Sequence, residues 1–151
     1  MKVERLIIVD IAPKDYPLHH DHFLDGLMDL HTHTPESRGE ANQRLRRFVS
    51  DEGTRLFLLK NLYRTSDGFA LRLNVPVLKA KIGEVMISSI ANYDGPTLFL
   101  AGAHSNYILP DDHAHIAQFF LQSRIKTIPK AGHWLHIENP VAFAAEVADF
   151  L

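Results

Sequence analysis

The sequence contains no cysteine. That excludes a disulfide framework, thiolate metal sites and thiol redox chemistry, and it fits a reducing cytoplasm. Long apolar runs are also missing: the longest, such as Leu6 to Val9 and Leu98 to Ala101, are far too short to span a bilayer, and no charged-then-apolar leader opens the chain. Neither sign of charge dominates. The 16 basic and 18 acidic residues leave a formal net charge of -2 with no block of like charge, so there is no electrostatic footprint for nucleic acid or an anionic membrane. Hydrophobic residues make up 46% of the 151, the composition of one ordinary globular domain with a core of its own. These observations predict a cytoplasmic protein that binds neither membrane nor nucleic acid.

Close to Met1 the chain enters Arg5-Leu6-Ile7-Ile8-Val9-Asp10-Ile11, an apolar β-branched run without alternation. Such a run reads as a strand buried on both faces of a parallel sheet. A strand of that kind is rarely outermost, because its free edge would expose unpaired N–H and C=O groups, so the sequence reads as beginning in the middle of a fold. Pro13 and Pro17 then bound a turn-rich exit.

From Pro17 to Tyr93 the pattern is mostly helical. One helix is expected over His19 to Leu30, and a second from a Thr34 cap with Pro35 at its first position to about Val49. A third, capped by Ser50, presents Leu56, Leu59 and Tyr63 on one face and stops at the turn signal Ser66-Asp67-Gly68. Phe69 to Val75 alternate as a short extended segment, and Pro76 opens a helix to about Met86. Thereafter Thr97 to Ala101 reads as a buried strand, Pro110 to Gln122 as a helix, Arg124 to Ile128 as a strand, and Asn139-Pro140 as the start of a last helix. The expected architecture is α/β: three parallel strands with flanking helices, formed by residues 1–16 and 94–151, with residues 17–93 inserted as a mainly helical unit.

The motif that carries chemistry is Ala131-Gly132-His133-Trp134-Leu135-His136-Ile137-Glu138-Asn139-Pro140, between the last strand and the last helix. Gly132 permits a tight turn, and His133 follows at the carboxyl edge of the sheet, where active sites of open parallel sheets lie. On the residues alone, a hydrogen-bonded loop histidine fits equally well.

This loop and the helix after it resemble the catalytic-histidine loop of α/β-hydrolases. The order of the first strand, the helical insertion, Thr97 to Gly102 and the terminal segment is similar, over nearly the whole chain, to the second half of small bacterial esterases of the YbfF type. The resemblance implies a partial α/β-hydrolase fold, its last three parallel strands plus a lid insertion, and a carboxylic ester hydrolase, with acyl thioesters as further substrates. It makes His133 the general base. The family's common position for the acid, three residues past Gly102, holds Ser105 here, and the resemblance to YbfF-type esterases points instead to Asp10. As plain residues, Asp10 is equally a strand-end turn former, and Asp111 and Asp112 are first-turn helix acids. The family's G-x-S-x-G nucleophile elbow is found nowhere in the sequence, so the serine and the oxyanion loop are expected before Met1 and the chain alone is expected to be inactive.

By the same resemblance Phe23, Leu27, Phe57, Leu58, Leu62 and Tyr63 are candidates for an acyl pocket, and Trp134 for shaping the site; internal lid packing accounts for such residues too. No cofactor is implied. Ten histidines raise a metal-binding alternative through His19-His20-Asp21-His22, His31-Thr32-His33 and His113-Ala114-His115, but i, i+2 histidines on a helix point to different faces. A third reading is a non-catalytic partner: a half-domain that self-associates or pairs with its missing N-terminal half through the open edge of the first strand.

Overall fold

The computed structural model describes residues 3–17, 21–85 and 92–151. The chain divides into two compact units, Met1–Lys14 with Ser88–Leu151, and Asp15–Ile87.

The first unit is built on a three-stranded parallel sheet ordered β1 (Leu6–Val9), β4 (Thr97–Gly102), β5 (Ser123–Ile128), in which Leu6 pairs with Thr97, and Thr97 with Ser123. Every residue of the central β4 is buried. Its side chains alternate between two cores, as a pleated strand requires. Phe99 and Ala101 pack with Ile108, Ile116 and Phe120 around α5 (Asp112–Phe119), while Leu98 and Leu100 pack with Ile128, Ala131, Leu135 and Phe150, on the side of α7 (Pro140–Phe150). The Phe99 ring meets Phe120 edge-on at 5.1 Å. Removing side chains of this size from water stabilises the fold by about 1.5–3 kcal/mol each, which explains an apolar run with no polar face.

β1 departs from the expectation of burial on both faces. Its residues are only partly buried and Val9 is exposed, because among the described residues β1 has β4 on one side and no strand on the other. α7 begins as the sequence suggests, with Pro140 at its first turn and the Asn139 side chain accepting from Ala142 N–H.

The second unit holds α1 (Asp21–Thr32), α2 (Arg38–Leu45), α3 (Glu52–Leu58), a short 3-10 turn at Leu59–Asn61, the hairpin β2 (Leu62–Thr65) and β3 (Gly68–Leu71), and α4 (Val75–Val85). Leu30, Ala41, Leu45, Leu59 and Leu62 form its core. The caps lie further along than expected. Ser37, not Thr34, caps α2 by accepting from Glu40 N–H, and Asp51, not Ser50, caps α3 by accepting from Thr54 N–H. Pro35 instead offers its carbonyl to Phe69 N–H at 2.9 Å, tying this loop to the hairpin. The third helix is shorter than read: Leu62 to Thr65 leave it to become β2, so Tyr63 shares no helix face with Leu59, which is buried while Leu56 and Tyr63 are exposed. Gly68 makes the hairpin turn with φ of 131°, and a Cβ there would stand 2.5 Å from the Pro35 carbonyl oxygen. The expected end of α4 at Met86 lies outside the described residues, and no helix among those described is long and apolar enough to cross a membrane.

Candidate active site

Asp10 follows β1 directly. Its N–H donates to Leu100 O at 2.8 Å, extending the parallel ladder by one residue, and its φ of 49° then ends the strand. Aspartate is among the few side chains that adopt this left-handed conformation without severe cost. The residue is 0% exposed, so its carboxylate depends on donors supplied by the protein. Oδ1 accepts from Gly102 N–H at 2.9 Å; Oδ2 accepts from the Ser105 hydroxyl at 2.5 Å and lies 2.8 Å from His133 Nδ1.

The meeting of loops 123 residues apart in sequence is made possible at Gly102. A Cβ on Gly102 would come within 2.1 Å of Gly132 O and 2.7 Å of Ala131 O, so only glycine lets the end of β4 lie against the loop that carries His133. Ala103 and His104 N–H donate to Ile128 O and Ala131 O, at 3.0 and 2.9 Å, and close the seam. The loop has its own brace. Glu138, at the end of α6 (Leu135–Glu138), accepts from Gly132 N–H at 2.9 Å and from Trp134 N–H at 3.1 Å, and Asn139 Nδ2 donates to Pro129 O at 2.8 Å.

A buried carboxylate that only accepts assigns the donor role to His133 Nδ1, and in the tautomer protonated there Nε2 is the acceptor. Nε2 has no hydrogen-bond partner among the described residues, and the side chain is 48% exposed. The imidazole is thus oriented by an acid at one nitrogen and available as a base at the other. Tyr107 stacks on the ring with centroids 4.2 Å apart and planes at 22°. Burial raises the Tyr107 phenol above its ordinary pKa, and the Asp10 charge adds to the shift. Ser105 joins the two, since its oxygen accepts from Tyr107 N–H at 3.2 Å while its hydroxyl donates to Asp10.

Of the residues singled out in the sequence, Asp10 and His133 come together. Trp134 is half-buried, 6.3 Å from the His136 ring and adjacent in sequence to His133. Phe23, Leu27, Phe57 and Tyr63 belong to the other unit. There Leu27 is 4% exposed, Phe23 lies against His22, and Phe57 and Tyr63 are 44% and 41% exposed beneath Lys60 and Arg72. Leu58 and Leu62 pack into that unit's core. Asp112 is held by Lys14 and Leu109 N–H, a structural role at the start of α5. His19 and His20 lie outside the described residues. Among those described no three His, Asp or Glu side chains converge as metal ligands, and His115 Nε2 lies 2.9 Å from Pro13 O. Ser105, Tyr107 and Glu138 were not legible as parts of a site; only the place of Ser105 where the family's acid commonly stands gave a signal.

Comparison with known proteins bears on the fold. The family described as alpha/beta hydrolase fold matches residues 82–140. The mouse sn-1-specific diacylglycerol lipase ABHD11 is 36% identical over 99% of this chain and 51% of its own length, and Esterase YbfF of Escherichia coli K12 is 31% identical over 99% and 58%. The solved structure of a marine microorganism esterase superposes with a TM-score of 0.90 at 34% identity, covering 99% of this chain and 61% of that one. The chain spans about half the length of the curated relatives it matches. With its parallel β1-β4-β5 sheet and flanking helices, the chain carries the C-terminal half of an α/β-hydrolase fold and is similar to esterases of the YbfF type.

Proposed function

We propose that this chain supplies the base and the acid of a carboxylic ester hydrolase that works through an acyl-enzyme, with the attacking serine provided by sequence outside residues 1–151. The observation that carries the reading is the 2.8 Å contact between Asp10 Oδ2 and His133 Nδ1, with Nε2 unpartnered among the described residues. His133 Nε2 takes the proton from the serine hydroxyl as its oxygen attacks the ester carbonyl, and returns it to the leaving alcohol, or thiol for a thioester. In the second half-reaction it activates water in the same way. Asp10 stays ionised throughout, holding the tautomer and stabilising the imidazolium.

In this reading the Asp15–Ile87 unit corresponds to the family's lid insertion, in which Phe57 and Tyr63 offer exposed aromatic surface, Phe23 is a further candidate for an acyl contact and the burial of Leu27 favours packing inside its own unit; Trp134, in the other unit, is a candidate for shaping the surroundings of His133. The esterase and lipase names of the relatives support a small acyl ester as substrate, and the absence of cysteine fits a cytoplasmic setting. The open edge of β1 supports a second reading, in which the chain pairs through that edge without contributing chemistry.

The test is to add the N-terminal half of a relative and follow p-nitrophenyl ester hydrolysis. The chain alone is expected to be inactive and the mixture active, with His133→Ala abolishing turnover and Asp10→Asn lowering it by about ten-thousandfold. No turnover in an assembled complex favours the pairing role, and turnover insensitive to His133→Ala overturns the assignment of the base.

A further inference from the structure

The Asp10–His133 contact fixes one atom of the imidazole, but an exposed loop histidine can lose that contact by a small rotation of its backbone. What prevents this is on the page. The Glu138 carboxylate uses both oxygens on the main chain around His133: Oε2 accepts from Gly132 N–H at 2.9 Å and Oε1 from Trp134 N–H at 3.1 Å. These amides belong to the peptide before Gly132 and the peptide after His133, so the carboxylate straddles the residue and pins the chain on both sides of its Cα. The reach is set by α6, in which Ile137 and Glu138 N–H both donate to Trp134 O at 2.8 Å, folding the single turn back so that Glu138 faces the loop it follows. Gly132 is fitted to this arrangement, since a Cβ there would stand 3.3 and 3.4 Å from the two carboxylate oxygens. Charge-assisted bonds to two amides hold more firmly than neutral ones.

We infer that Glu138 is a positioning residue for the histidine: its carboxylate clamps the backbone on either side of His133 and so keeps Nδ1 on Asp10 and Nε2 free to accept a proton. This deepens the proposed function and rests on it. Glu138 touches no reacting atom and acts only through the direction in which His133 leaves the chain. Glutamine in its place retains length and shape but has one acceptor oxygen, and its NH2 opposes the second amide. Alanine removes both bonds.

The experiment reads the tautomer directly on the 151-residue chain, by long-range proton–nitrogen correlation of the His133 ring at neutral pH, for the native chain, Glu138→Gln and Glu138→Ala. The native chain is expected to show a single Nδ1–H tautomer. Both variants are expected to lose it, giving nitrogen shifts averaged between tautomers, most fully in Glu138→Ala, while the amide shifts of β4 and β5 stay in place. A lowered melting temperature with the single tautomer retained makes Glu138 merely structural and overturns the proposal. General loss of amide dispersion in both variants overturns it too, because a clamp confined to this loop leaves the β4–β5 core folded. Absence of the Nδ1–H tautomer in the native chain instead sinks the acid–base pair, and with it the proposed function.

Discussion

Asp10 illustrates how one residue both ends a strand and positions a neighbouring side chain. Its left-handed φ ends the strand, and its burial is tolerated because Gly102, Ser105 and His133 all donate to it. Ser105→Ala deprives a buried carboxylate of one donor, and since bonds to charged groups contribute about 1.5–3 kcal/mol, we expect a loss of about 2 kcal/mol in urea unfolding. Gly102→Ala is harsher: its methyl group would overlap the Gly132 and Ala131 carbonyls, which are backbone and cannot rotate away. We expect a loss of about 3 kcal/mol or more, with disappearance of the His133 Nδ1–H tautomer. Both His133 and Asp10 were legible as letters, because the Gly132-His133-Trp134 loop and a strand-end aspartate stand where the resemblance places them. Ser105 and Tyr107 were not, since a hydroxyl shared by two partners and a stacked ring depend on distances no spacing rule supplies.

At the level of elements, the strands were legible where burial is complete and blurred where tertiary contacts decide. β4 announces itself because both its faces are covered, whereas Leu62 to Thr65 continue a plausible helical pattern and become a strand only because β3 pairs with them. Thr34-Pro35 resembles a helix start, but the Pro35 carbonyl is taken by the hairpin and the cap passes to Ser37. The join between α1 and α2 adds an ion pair to the apolar packing of Leu30 against Ala41 and Leu45. Arg44 Nε donates to Asp29 Oδ2 at 2.9 Å, and this bond holds the Asp29 carboxyl below its ordinary pKa, despite some burial, with the charges of Arg44, Arg47 and His33 assisting. A carboxyl depressed in the folded state contributes stability that is fully present above its unfolded pKa of about 3.9 and is lost as the pH falls through the lower folded value. The urea midpoint of the native chain should therefore exceed that of Asp29→Asn at about pH 5, and the gap should close as the pH is lowered through the depressed titration of Asp29. A gap independent of pH would show that Asp29 acts through shape alone.

For the whole molecule, the side of β1 away from β4 is the feature to test in solution. Val9 and Ile11 are 36% and 49% exposed beside a strand edge that has no partner among the described residues. Such an edge recruits another strand, so the isolated chain is expected to form dimers or larger species in sedimentation, dispersed when a relative's N-terminal half is added. A stable monomer at all concentrations would argue that the edge is satisfied otherwise. The three parallel strands and the inserted segment could be read from the order of apolar runs, because a change from strand-like to helical pattern marks where each unit begins; the hairpin inside the second unit could not, because it depends on pairing between β2 and β3.

The carboxylate that orients the imidazole is also hydrogen-bonded to the main chain of β4, so docking of the first strand and assembly of the acid–base pair are one event. Contacts so distant in sequence close late, after local helices and turns have formed. During synthesis, residues 10 and 133 therefore cannot meet until the histidine loop has emerged from the ribosome, so the contact between them forms only after β4 and β5 have been made.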